Sequence, residues 1–321
     1  MAEALQVPTH LTVENADFSR ALGWIDSAVV PLADAKISVR DLGLMYADMT
    51  YDVVHVWRGG FFRLEDHLDR FFASMAGLRL DPGMSRDAMR ALLADLVRQS
   101  GLPDALVYFA CTRGMAVPGT RDPTASANRF FATVTPLVLR GQPAEMQRGQ
   151  HAMLVREVTR IPASAVNPVW KNSHWGDFLR AAFLAKDAGH DVPILCATDG
   201  AVAEAPGFNV VAVIGGRLVS PEAGVLEGIS CRTMFEIAGE LGIPAQYGRL
   251  MPEQLAAAEE AFLTATSCGL FPVTRLDGAP LGSGVPGPVT TRLLNTYYAR
   301  KNAGWHITPV ETILATTDRR P

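Results

Sequence analysis

Glycine and proline cut this sequence into short segments whose hydrophobic period keeps changing, and that punctuation constrains the fold more than any other feature. The 28 Gly and 21 Pro are spread along the chain, with no internal repeat and no low-complexity tract. Such a pattern reads as a mixed α and β protein. The run TYDVVHVW at 50–57, then Arg58-Gly59-Gly60 and FFR, reads as a strand, a glycine turn and a returning strand. From 65, EDHLDRFFASMAGL places Leu68, Phe71, Phe72 and Met75 on one helical stripe that ends at Gly77. A second helix follows, with Ser85 as N-cap, Asp87 in the first turn, and Met89, Leu92, Leu93, Leu96 and Val97 holding the 3.6 period up to Gly101. Strands are expected at 105–112 and 129–134.

Between 135 and 149 the pattern is lost in TPLVLRGQPAEMQRG. A chain of 321 residues exceeds the size at which one hydrophobic core stops growing, so two domains are expected. The composition places a smaller N-terminal α+β domain at 1–136, a linker at 137–149 and a larger C-terminal domain at 150–321. The second half shows a strand near 151–158, a helix after Trp175, apolar runs at 193–197, 208–214 and 217–219, and helices at 231–241 and 288–298. Strands and helices do not alternate strictly, and glycine turns such as Asp199-Gly200 and Gly215-Gly216 separate neighbouring strands. An α+β architecture with antiparallel or mixed sheets fits better than a doubly wound fold.

The 29 Lys+Arg against 33 Asp+Glu leave a formal net charge of -4, and no basic block supplies a field for phosphate backbones. Nucleic acid is therefore not an expected partner. No apolar run approaches the ~18–20 residues needed to cross a bilayer, and the opening MAEALQVPTH lacks a basic segment followed by an apolar one. No membrane association and a cytoplasmic location are expected. Cys111, Cys196, Cys231 and Cys268 never form a C-x-x-C spacing, which points to reduced, buried thiols rather than zinc or a disulfide framework. The chain contains no phosphate-binding G-x-x-x-x-G-K-[ST], no H-E-x-x-H and no G-x-S-x-G.

The most unusual local chemistry is VWKNSHWGD at 169–177, a lysine between two tryptophans just before a helix. Apolar walls disfavour the charged ammonium and leave an amine able to act as a Schiff-base nucleophile. Lysines beside tryptophans also commonly snorkel, so this cluster alone does not decide the chemistry.

Read in order, the second half carries K-N-x-x-W-G-D at 171–177, A-E-x-x-G-F-N at 203–209, L-E-G-I-S at 226–230 and T-A-T-S at 264–267. The first half adds I-S-x-x-D-x-G at 37–43, D-x-T-Y-D-V at 48–53, F-R-L-x-D-H-x-x-R at 62–70 and T-R-G at 112–114. Together these resemble the fold-type IV pyridoxal-phosphate aminotransferases, the group of the branched-chain and D-amino-acid aminotransferases. Within it they are most similar to the (R)-selective amine transaminases. The resemblance covers about 23–298 and implies two α/β-containing domains with pyridoxal 5'-phosphate in the cleft between them, and a homodimer.

The resemblance implies roles residue by residue. Lys171 would hold the cofactor as a Schiff base and shuttle a proton. Glu204 would face the pyridine nitrogen, and Arg70 would clamp the phosphate with its guanidinium fork. Backbone N–H groups at Gly228, Ile229 and Ser230, where a helix opens, would complete the phosphate cup, with Thr266 adding a hydroxyl. Ala205-Pro206 departs from the usual Gly and small hydroxyl residue, and Cys231 stands where arginine is frequent.

For the substrate, Tyr46, Tyr51 and Trp175 would line the larger side of the pocket and Val53 limit the smaller one. Arg121 would swing toward a keto-acid carboxylate, while Arg113 reads as structural. His55 and His67 read as structural too. The implied reaction is ping-pong transfer from an (R)-configured primary amine to a keto acid such as pyruvate. Tyr46 is also compatible with a branched-chain L-amino-acid or D-amino-acid aminotransferase. An aminodeoxychorismate lyase shares the cofactor and lysine, and Ala205-Pro206 leaves open a cofactor-binding protein on a decayed scaffold.

Overall fold

A computed structural model describes residues 4–120, 122 and 124–317. The chain divides into two units. The first comprises Leu11–Val138, Trp170–Ser173 and Gly304–Pro321, and the second Met1–His10, Leu139–Val169 and His174–Ala303. This differs from the contiguous division expected at 136 and 150. The strand Ile307–Pro309 adds to the edge of Gly60–Phe62, and Val310 and Ile313 of the following helix enter the first unit's core. Nor is 137–149 a bare linker, because it contains the helix Pro143–Arg148, with Leu137, Leu139 and Met146 buried. One helix of six residues is too short to impose a readable period.

The first unit is built on a seven-stranded sheet. Its order is Ile307–Pro309, Gly60–Phe62, Met49–Trp57, Ala105–Ala116, Ser126–Pro136, Leu22–Ile25 and Ala28–Pro31, and every pairing is antiparallel. The helices Leu64–Leu78 and Arg86–Ser100 cover it, and Leu68, Phe71, Met75, Met89 and Leu93 pack with Val54, Val56, Val107 and Phe109. Ser85 caps the second helix as its spacing predicts, accepting from the Ala88 N–H. Because side chains alternate along a strand, Thr50, Asp52, Val54 and Val56 of Met49–Trp57 share one face. Two of them build core; the other two are buried polar groups.

The second unit holds a nine-stranded mixed sheet. Its main order is Ala245–Gly248, Arg217–Pro221, Phe208–Ile214, Glu260–Ala265, Gly269–Leu276, Gln150–Thr159 and Val192–Cys196. The first pairing and the last two are parallel, the others antiparallel. Two short strands, Glu204–Ala205 and Ala279–Pro280, attach to Phe208–Ile214 and Gly269–Leu276. The sequence reading overlooked Glu260–Ala265 and Gly269–Leu276. Both are buried almost throughout, so they show no polar alternation. The helices Gly176–Asp187, Ile229–Glu240 and Pro288–Asn302 complete the unit. Among the described residues no helix is long and apolar enough to cross a membrane.

Candidate active site

In the first unit the polar end of the Met49–Trp57 face meets the helix Leu64–Leu78. Asp52, fully buried, accepts from Arg70 through both Nε and Nη2 at 2.8 Å, and lies 2.8 Å from His67 Nδ1. Burial alone would raise its pKa, but the charge of Arg70 and the hydrogen bonds of His67 and Arg70 outweigh it and hold the carboxyl well below its usual range. Burial also lowers the His67 pKa against the pull of Asp52, so the ring is neutral and donates from Nδ1. His67 is buried and its Nδ1 is engaged by Asp52. The Arg70 fork thus rests on Asp52, an engagement the sequence reading did not foresee, and the buried carboxylate fixes the guanidinium's orientation.

One strand position earlier on the same face is Thr50, and one helical turn beyond Arg70 is Ser74. Thr50 Oγ1 donates to the Lys171 carbonyl at 2.6 Å, and the Lys171 N–H donates to Ser74 Oγ at 3.0 Å. Lys171 Nζ stands 4.4 Å over the Tyr51 ring, which stacks on Tyr108. Tyr51 and Val53 share the half-buried face of the strand. Tyr46 sits on the short helix Leu42–Tyr46 and is 63% exposed. Arg113 places its fork on Asp48 and donates to the carbonyls of Leu78 and Arg79, closing the end of a helix. That is structural work. Arg121 lies outside the described residues.

In the second unit Glu204 is almost fully buried. Its Oε1 accepts from Arg160 Nε at 2.8 Å and its Oε2 from the Leu226 N–H at 3.3 Å. Arg160 also donates through Nη1 to Asp177 at 2.7 Å, with its guanidinium over the Phe178 ring. Asp177 sits in the first turn of Gly176–Asp187, where an N-terminal carboxylate is favoured. Sequence reading missed Arg160, although an arginine closing an apolar strand near an acid at a helix start is a usable signal. Ala205-Pro206 finds its reason here. Ala205 pairs with Phe208 across a Pro206-Gly207 turn with Gly207 at φ 78°, where proline and glycine are the favoured pair.

The helix Ile229–Glu240 opens on Gly228, which no side chain caps. The first-turn N–H groups of such a helix point outward with a positive dipole. A Cβ at Gly228 would overlap Asn209 Oδ1 and displace that side chain, whose Nδ2 donates to the Leu226 carbonyl at 2.8 Å. Thr266 follows the strand Glu260–Ala265. Cys231 turns inward, its Sγ 3.6 Å from Ser220 Oγ, and burial pushes its thiol pKa up. Cys111, Cys231 and Cys268 are buried, whereas Cys196 is half-buried, so the expectation of uniformly buried thiols needs that correction. Trp175 packs edge-on to Phe178 in the second unit, so neither unit by itself unites it with Tyr46, Tyr51 and Val53.

The sequence profile described as amino-transferase class IV matches residues 49–276. The D-alanine aminotransferase of Listeria innocua is 28% identical over 281 residues, 85% of this chain and 93% of that protein. Among solved structures, the branched-chain aminotransferase of Thermoproteus uzoniensis with norvaline superposes with a TM-score of 0.82 at 27% identity. The match spans 90% of this chain and 99% of that one. The branched-chain amino acid aminotransferase of Thermobaculum terrenum, in its PLP-bound holo form, gives 0.80 at 25% identity, over 90% and 98%.

Proposed function

The chain belongs to the class IV aminotransferases, and from that premise we propose that it moves an amino group from an (R)-configured primary amine to a keto acid such as pyruvate. It is a fold-type IV enzyme that works with pyridoxal 5'-phosphate. The residues present fit that group. An uncapped helix start at Gly228 suits a dianion, Arg70 is an oriented cation, Glu204 is a buried acid, and Lys171 offers an amine against an aromatic wall. When bound, the cofactor supplies an electrophilic carbon for amine exchange and a ring that accepts an electron pair.

The chain's own groups do the rest. Lys171 Nζ would hold the cofactor, yield it to the substrate amine and carry the proton at the reacting carbon. For the phosphate, the donors would be Arg70, the N–H groups of Ile229 and Ser230, and the Thr266 hydroxyl. Glu204, its carboxylate held by Arg160 and the Leu226 N–H, would keep a proton on the ring nitrogen. For the substrate, Tyr46, Tyr51 and Trp175 would supply the large side and Val53 the small side, and Arg121 would meet the acceptor's carboxylate.

The observation that carries the amine reading is the pair Tyr51 and Val53 on one strand face, with Lys171 Nζ 4.4 Å over the Tyr51 ring. Tyr51 gives the reactive amine a large flat wall, and Val53, two residues along the same strand, offers a small one, as a donor with unequal substituents requires. The second reading is an amino-acid donor, favoured by the names of the relatives and by the exposed Tyr46. We also read the enzyme as a cytoplasmic homodimer. Val39, Leu44, Met45, Tyr46, Met115 and Val117 of the first unit, all exposed, supply apolar surface for a second copy.

The two donors separate in half-reactions. (R)-1-phenylethylamine, added without acceptor, bleaches the visible band of the holoenzyme at least ~10-fold faster than the (S) amine, because only one enantiomer fits a large and a small wall together. Bleaching only by leucine or D-alanine would establish the second reading instead.

A further inference from the structure

We propose that Thr50 and Ser74 are positioning residues for Lys171, holding its main chain to the strand and helix that carry Asp52 and Arg70. This rests on the role given to Lys171 above. Within 139–303 only the segment Trp170–Ser173 groups with the first unit, while the residues flanking it on both sides group with the second. Four residues have been drawn out of their surroundings in sequence, and the bonds that hold them are specific.

Ser74 Oγ bridges two main-chain groups. It donates to the Arg70 carbonyl at 2.8 Å and accepts the Lys171 N–H at 3.0 Å. A helical serine satisfies its hydroxyl on the carbonyl one turn back, so the bond from Lys171 is an added task rather than a burial necessity. On the other side Thr50 Oγ1 donates to the Lys171 carbonyl at 2.6 Å. Both side chains are fully buried. Asn172 forms an isolated antiparallel bridge with Thr50 and donates to the Trp170 carbonyl at 2.8 Å. The Trp170 indole lies on the helix at Gly77, where a Cβ would run into it.

Both peptide groups of the lysine are therefore pinned by side-chain hydroxyls, leaving its own χ angles as the freedom to reach and release. The same serine ties that lysine to the peptide of Arg70. The amine that attaches the cofactor and the cation that holds its phosphate share one frame, set by positions i and i+4 of one helix. A frame of this kind keeps the reacting nitrogen at a fixed offset from the phosphate anchor, and a displacement of about 1 Å at such a centre costs on the order of 100-fold in rate.

The test uses apoprotein mixed with pyridoxal 5'-phosphate, following the visible band of the lysine-bound cofactor by stopped flow. Thr50→Val and Ser74→Ala each slow attachment about 10-fold, and the pair about 100-fold, with kcat falling in parallel and KM for the donor unchanged. Thr50→Ser keeps the hydroxyl and restores the wild-type rate. Were the double variant not to fold, the Thr50→Val and Thr50→Ser comparison decides alone. Variants that melt earlier yet attach the cofactor at the wild-type rate and turn over normally would overturn the proposal and leave the hydroxyls as packing. A wild-type protein that forms no visible band, or a band that survives in Lys171→Ala, would defeat the role of Lys171 itself.

Discussion

Lys171→Ala lowers transamination by about 10^4-fold or more and removes the visible band, while the protein stays folded. On the proposed assignment two functions end together, because the same nitrogen would attach the cofactor and carry the proton at the reacting carbon. The fold loses little. The side chain is half-buried, and its ammonium over Tyr51 is worth about 0.5–1 kcal/mol at a partly exposed site. The main-chain bonds to Thr50 and Ser74 remain in an alanine. Melting of the apoprotein therefore shifts by no more than a few degrees. Turnover near the wild-type level in a folded, cofactor-loaded variant would remove Lys171 from the chemistry.

The second large effect is on stability. Asp52→Asn costs about 3–5 kcal/mol, seen as a drop on the order of 10 °C in the melting midpoint of the first unit, because Arg70 and His67 then face each other without the carboxylate between them. A neutral amide cannot accept the Arg70 fork and the His67 N–H on equal terms. The pH dependence identifies the cause. Asp52 titrates below its ordinary value in the folded state, so its contribution is complete above the unfolded pKa of about 3.9 and is lost as the pH falls further. The gap between wild type and Asp52→Asn is therefore constant through neutral pH and narrows below about pH 4. His67, held neutral by burial, adds a loss of wild-type stability that begins as the pH falls through about 6.5. A gap that stayed level down to pH 3 would show that the carboxylate's charge does not carry the stability.

Much of this was legible in the sequence, and the reason differs by element. The helix at Arg86–Ser100 announced itself because cap, first-turn acid and apolar stripe all agree. The strands Glu260–Ala265 and Gly269–Leu276 did not, since burial on both faces erases the period that marks a strand. The second-unit assignment of 304–317 failed for a different reason. A chain that returns to an earlier sheet leaves no local trace of where it will pair. Of the proposed site residues, Lys171, Glu204 and Arg70 stood out through their motifs, but what holds them did not. Asp52 with Arg70, Arg160 with Glu204, and Thr50 and Ser74 with Lys171 join positions far apart in sequence, and each partner looks ordinary in its own segment.

The chain has four lysines, which makes one measurement decisive. Lys36 and Lys186 are exposed, and Lys301 is buried with its Nζ 3.3 Å from the Tyr297 hydroxyl. Loading the protein with pyridoxal 5'-phosphate, reducing it with borohydride and sequencing the peptides by mass spectrometry shows which nitrogen bears the cofactor. We expect one stoichiometric label, on Lys171. A label on Lys36, Lys186 or Lys301, or none with the cofactor bound, would contradict the account at its centre.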